Sequence, residues 1–174
     1  MRKPILLVKS LIAAGVLFVS CDNSSDDIQC PEAISGELSA TETTFTGTWT
    51  LQSIVAEDEI DLTDDDTDNP STDIYGQFTD CEKDLVYEFG NDRSYTYSLG
   101  KTATGCNNEN EVSGTWELSE TGTLRFVGNC TSQALAIDVN DENTAFTFEG
   151  TYNFTDVNGT TISTKTSFTY AKSE

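Results

Sequence analysis

Asp61, Asp64, Asp66 and Asp68 fall within one short stretch, Asp61-Leu62-Thr63-Asp64-Asp65-Asp66-Thr67-Asp68-Asn69. Closely spaced aspartates supply the oxygen shell of a calcium ion, which takes about six to eight such donors. Asp64, Asp66 and Asp68 repeat at the alternate spacing that opens an EF-hand loop. The pattern then departs, with Asn69 where the turn glycine belongs and Tyr75 where the closing glutamate belongs. Asp73 is the next donor along the chain. The expected site is therefore Asp61, Asp64, Asp66, Asp68 and Asp73, with Ca2+ as its ion. The alternative is a solvated acidic loop.

Other chemistries are thinly provided for. The chain has no histidine. That removes Ser-His-Asp and Cys-His catalysis, histidine-ligated zinc and a histidine pH switch. Carboxylates abound, but nothing marks one pair as an acid–base couple. No enzyme activity is expected. Thirty acidic residues stand against nine basic ones, a net charge of −21. Such a field repels nucleic acid and anionic lipid surfaces, so nucleic acid is not expected as a partner.

The five cysteines divide into one and four. Cys21 ends a short apolar stretch, Leu11 to Val19, preceded by Arg2, Lys3 and Lys9. This is the layout of a secretory signal, too short to span a bilayer. Leu17-Phe18-Val19-Ser20-Cys21 resembles a bacterial lipobox, in which the cysteine is acylated and becomes the new N-terminus. Residues 1–20 then form a signal peptide. Residues 21–40 form an acylated, acidic, flexible tether, and 41–174 a single domain. Ser25-Asp26-Asp27 is similar to the export signal of Bacteroidetes surface lipoproteins. It implies an outer-membrane location facing the cell exterior, with the lipid bilayer as a partner through Cys21. Cys30, Cys81, Cys106 and Cys130 remain, an even count that reads as two disulfides in an exported protein. Zinc is the rival, but no C-x-x-C pair is present.

From Thr44 onward apolar and polar residues alternate at the period of half-buried strands. The segments are Phe45 to Ala56 (Trp49, Leu51 and Val55 on one face), Leu85 to Phe89, Ser94 to Leu99, Val112 to Leu118, Thr123 to Val127 and Ala134 to Val139. Thr144 to Glu149 follows, then a kink at Gly150 into Thr151 to Phe154, and finally Thr160 to Tyr170. No helical period is evident after the signal. Sequential hairpins predict an all-β fold: a single antiparallel up-and-down barrel of about eight strands, with a two-sheet sandwich as the alternative. Cys81 and Cys106 flank one such hairpin at its open end. This favours Cys81–Cys106, and with it Cys30–Cys130.

Gly47-Thr48-Trp49-Thr50-Leu51 recurs as Gly114-Thr115-Trp116-Glu117-Leu118. Between the two lie Asp80-Cys81-Glu82-Lys83-Asp84, then Tyr87 to Tyr95 around Gly90-Asn91-Asp92, then Cys106. In this order the motifs resemble the lipocalin-like lipoproteins of Bacteroidetes, over roughly residues 45–170. The resemblance implies a barrel with Trp49 and Trp116 packed at one end, and an acidic loop where Asp61 to Asp66 stands. It also implies non-catalytic binding of a small, apolar ligand. Phe89, Phe126, Phe146, Phe148 and Phe168 would line or plug the interior. The alternative function is a structural or protein- or glycan-interaction module on the cell surface, assisted by calcium. Tyr75, Tyr95 and Tyr97 would stack on sugars if exposed, although Tyr95 and Tyr97 share a face with Leu99, which favours their burial.

Overall fold

Ser39 opens the first regular element. Its hydroxyl accepts from the Glu42 backbone N–H, and the Glu42 carboxylate accepts in return from Ser39 N, 2.7 Å away. This reciprocal capping starts helix α1, Ala40–Phe45. The computed structural model describes residues 29–173. The signal segment, the lipobox, Cys21 and the Ser25-Asp26-Asp27 signal lie outside the described residues.

Beyond α1 the chain is a strand meander: β1 (Gly47–Ile60), β2 (Ser71–Asp73), β3 (Leu85–Phe89), β4 (Ser94–Leu99), β5 (Asn110–Leu118) and β6 (Thr123–Gly128). It continues as β7 (Thr131–Ala136), β8 (Asp138–Val139), β9 (Ala145–Thr155) and β10 (Thr161–Lys172). All pairings are antiparallel, in one sheet ordered β7-β6-β5-β4-β3-β1-β10-β9-β8, with β2 pairing on β1 as well. Only Ile137 separates β7, on one edge, from β8, on the other. The chain itself thus carries the sheet round to meet its far side. β7 and β8 are two halves of one stave that bond to opposite neighbours. The result is a nearly closed barrel, and the single sheet sets aside the sandwich alternative. Closure leaves little free edge for unwanted pairing.

Several local readings change. Val55 is 45% exposed, and Ile54 and Ala56 are buried in its place. The β1–β10 register slips between Leu51 and Ser53, so Gln52 is an extra residue and the alternation inverts beyond it. Gly150 does not kink the chain; it pairs with Thr166 inside a continuous β9. Two further short helices, α2 (Ile74–Gln77) and α3 (Asp80–Lys83), join α1 where no helix was expected. They are too short to show a helical period. The expected tether also ends early. From Cys30 the chain is bound to the barrel: Ile34 is buried and its N–H donates to Thr115 Oγ1 at 2.8 Å.

Up-and-down topology sorts the connections into two ends. One holds α1, the start of β1, the β3–β4 and β5–β6 turns and the end of β10. The other holds the end of β1 with the acidic loop, the β4–β5 loop, and the β6–β7 and β9–β10 turns. Trp49 and Trp116, both fully buried, fill the first end around Phe45 of α1. Phe45 lies 4.7 Å from the Trp49 ring and 5.0 Å from Phe89, centroid to centroid. The Trp49 indole N–H donates to Phe45 O at 2.9 Å, and that of Trp116 to Gly90 O at 3.2 Å.

Arg93, at positive φ in the β3–β4 turn, locks this end. Its guanidinium donates to both Glu42 carboxylate oxygens (2.8 and 3.1 Å) and to the carbonyls of Gly36, Glu37 and Trp116. Burial alone would raise the Glu42 carboxyl. Hydrogen bonds from Arg93, Ser39 and Leu118 outweigh it and hold the group at about 2, against an ordinary 4.5.

Candidate functional site

The second end is hollow. Above the tryptophan core lies a cavity of about 390 Å³, and five of the chain's six tyrosines line it: Tyr87, Tyr95, Tyr97, Tyr152 and Tyr170. Phe126, Phe148 and Phe168 fill the gaps between them, with Leu85, Val112 and Gln133. Each ring is placed by strand alternation. Tyr87 and Leu85 project from β3 on the face that carries Phe89 deeper in, and Phe168 and Tyr170 share the inward face of β10. The rings brace one another. Tyr87 and Tyr97 are 4.5 Å apart, Tyr95 and Phe126 4.8 Å, and Phe148 and Phe168 5.0 Å and nearly parallel.

Two glycines make room for this lining. A Cβ on Gly114 would collide with the Val127 carbonyl and lie 2.9 Å from the Tyr95 ring. A Cβ on Gly150 would lie 2.9 Å from the ring of Tyr152. These positions therefore exchange a side chain for a neighbouring aromatic. Burial pushes the hydroxyls of Tyr87, Tyr97 and Tyr170 upward; neighbouring phenols add to the shift at Tyr87 and Tyr170, whereas a hydrogen bond with Tyr170 partly offsets it at Tyr97. The phenols stay protonated and uncharged at ordinary pH. No carboxylate, amine or thiol belongs to the lining.

A seam runs beside the cavity. β7 bonds to β6, while β9 is held by β10 along its length and by β8 only at Phe146 and Thr147. A smaller depression between β7 and β9 shares Tyr87, Phe126, Gln133, Phe148 and Tyr152 with the cavity, so the same space is reached from the side.

The other expected site residues are placed as follows. Asp61, Asp64, Asp66 and Asp68 line one surface depression, also about 390 Å³, closed by Val157 and Asn158 of the β9–β10 turn. The Asp61 carboxylate is occupied internally: it accepts from Thr63 N and Oγ1 at 3.0 Å and from Asn69 N at 3.3 Å. Asp73 does not join the depression. It caps α2, accepting from Gly76 N at 2.9 Å. Among the described residues no three acidic or cysteine side chains are placed to share a metal ion.

Disulfides join Cys81 to Cys106 and Cys30 to Cys130, with Cα–Cα distances of 5.5 and 4.5 Å. Both staple the hollow end, and they are the pairs that the hairpin layout favours. The Asp84 carboxylate reinforces the first, accepting from Thr102 N at 2.6 Å, Ala103 N at 2.8 Å and the Thr102 hydroxyl.

Of the phenylalanines expected inside, Phe126, Phe148 and Phe168 line the cavity, while Phe89 and Phe146 belong to the filled end. Tyr95 and Tyr97 face inward. Tyr75 stands apart, under Lys83 Nζ at 5.2 Å. Tyr87, Tyr152 and Tyr170 were not foreseen as site residues. In-phase tyrosine on β3 and β10 was the visible signal for two of them, and the supposed kink at Gly150 hid Tyr152.

No curated protein matches the chain. Among solved structures it is similar to insecticyanin from the tobacco hornworm Manduca sexta. The identity is 11% and the TM-score 0.43, over 83% of this chain and 69% of that one. A family model matches residues 23–173, a span that takes in the N-terminal segment, both disulfides, the plugged end and the whole aromatic cavity. Its description is a domain of unknown function, DUF5004, and the chain belongs to that family.

Proposed function

We propose that this protein is a lipid-anchored lipoprotein of the outer membrane, facing the cell exterior, whose barrel binds a small, apolar ligand without transforming it. One observation carries the binding reading. The hollow end is lined by rings and aliphatic side chains, with no carboxylate, amine or thiol to act as nucleophile or base. A likeness of fold would not suffice, since folds host many functions. The resemblance to lipocalin-like lipoproteins points the same way, and the lipobox-like segment ending at Cys21 supports the anchor.

A second reading draws on the four-aspartate depression at the same end. There the protein would act as a surface interaction module, and calcium would have to draw Asp64, Asp66 and Asp68 together, since they are not placed to share an ion as they stand.

Native mass spectrometry of protein taken from its own host membrane, with and without chelator, separates the two. The carrier reading expects a small-molecule adduct that chelator leaves in place. A calcium adduct lost to chelator would favour the module. A bare polypeptide from gently extracted membranes would count against both. Labelling with a radioactive fatty acid tests the anchor, and label that persists in Cys21→Ser would overturn it.

A further inference from the structure

We propose that the ligand of the barrel is an organic cation, a small molecule with a tertiary or quaternary ammonium head on an apolar or aromatic body. The inference rests on the carrier reading and amends it: the ligand keeps an apolar body and gains a charged head.

Every basic side chain among the described residues is already engaged. Arg93 is held by Glu42, Lys101 by Glu111 at 3.0 Å, Arg125 by Glu117 at 2.6 Å and Lys165 by Glu149 at 2.7 Å. The last two lie over rings: Lys83 on Tyr75, and Lys172 on Trp49 at 5.5 Å. None lines the cavity. An anionic head, such as a fatty-acid carboxylate, would enter an apolar site with no counter-charge, at a heavy desolvation cost.

A cation meets the opposite situation. Five phenol rings and three phenyl rings converge on one small volume, and aromatic rings attract ammonium groups over their faces. No carboxylate lines the cavity, so the attraction comes from rings alone. That selects a diffuse, weakly hydrated alkylammonium over a metal ion or a compact primary amine, whose hydration the rings cannot replace. The field outside acts in the same sense. A net charge of −21 and the aspartate depression at the same end raise the local concentration of cations at the opening and lower that of anions.

The test pairs a cation with its uncharged isostere: benzyltrimethylammonium and neopentylbenzene, each titrated into the detergent-solubilised full chain. Calorimetry and tyrosine fluorescence read the binding. The expected result is a preference for the cation of roughly ten-fold or more. In Tyr152→Leu, at a residue 37% exposed on the rim, that preference should fall about three-fold, with the neutral probe little changed. Equal or tighter binding of neopentylbenzene would overturn the inference and leave the carrier reading standing. Binding of neither probe would also overturn it, and the native mass spectrum would then judge the carrier reading separately.

Discussion

The two ends of this barrel are built from the same strands and the same kinds of residue, yet one is solid and the other hollow. At the tryptophan end, Phe45 of α1 enters from outside the strand pattern and closes the space between Trp49, Phe89 and Trp116. At the tyrosine end the strands supply only their own rings, and a cavity of about 390 Å³ remains. The difference lies in the plug, not in aromatic content. A barrel of this size is filled or left open according to what covers its end. Polar chemistry follows the same division. The solid end uses a buried ion pair whose donors and acceptors are all matched. The hollow end carries neutral phenols that a ligand can meet.

Breaking the solid end should have the largest effect. Arg93→Ala removes the partner of a buried carboxylate and strips donors from three carbonyls. We expect a loss of about 3–5 kcal/mol in denaturant unfolding; a loss below 1 kcal/mol would mean that the ion pair does not secure the plug. Next comes the double variant Cys81→Ser/Cys106→Ser, which opens a loop of sequence separation 25 and should cost about 3 kcal/mol. That loss should fall on the rim, so tryptophan fluorescence of the native state should be unchanged. Acid sharpens the same contrast. The Glu42 carboxyl is lowered, so its stabilisation is complete above pH 4.5 and drains as pH falls toward about 2. Arg93→Ala should flatten this slope in a pH series of unfolding midpoints.

A matched pair on β5 compares the ends most directly. Leu118 and Val112 both project inward, one into the solid end and one into the cavity. Leu118→Phe should cost about 1–3 kcal/mol through overpacking. Val112→Phe has room and should cost less, while weakening any ligand. Equal costs would mean that the hollow is not there in solution. The smallest effect belongs to Tyr152→Leu on the rim, which should move stability by no more than about 0.5 kcal/mol.

The strand pattern and the Cys81–Cys106 pair were legible because alternation and hairpin spacing are local, and Cys30–Cys130, 100 residues apart, followed as the remaining pair. The inversion at Gln52 was not. A bulge depends on how β10 pairs with β1, and no residue type announces it. Gly150 misled for a related reason. Its missing side chain reads as a kink when seen alone, but serves the ring of Tyr152 when seen in the sheet. The plug was half visible: Ser39 and Glu42 spell a capping box, yet nothing local says that Phe45 will sit on Trp49. Whether inward aromatics line a cavity or fill it could not be read from their period, since one helix from outside the period decides it. The acidic run was conspicuous, but Asp61 and Asp65 accept from nearby backbone N–H groups, Asp73 caps a helix, and no three carboxylates among the described residues converge on one ion.

The Cys30–Cys130 bridge also has a mechanical consequence. Cys30 stands at the head of the described chain and is bonded to the β6–β7 turn. Tension arriving from the N-terminal side therefore passes through sulfur into that turn. It bypasses the segment from Ile34 to Phe45, which is held only by hydrogen bonds and packing. The plug and the segment that leads to it are thereby relieved of the load, which the covalent bridge bears. Were the protein anchored through Cys21 as proposed, a pull along that segment would turn the hollow end toward the anchor and leave the solid end trailing.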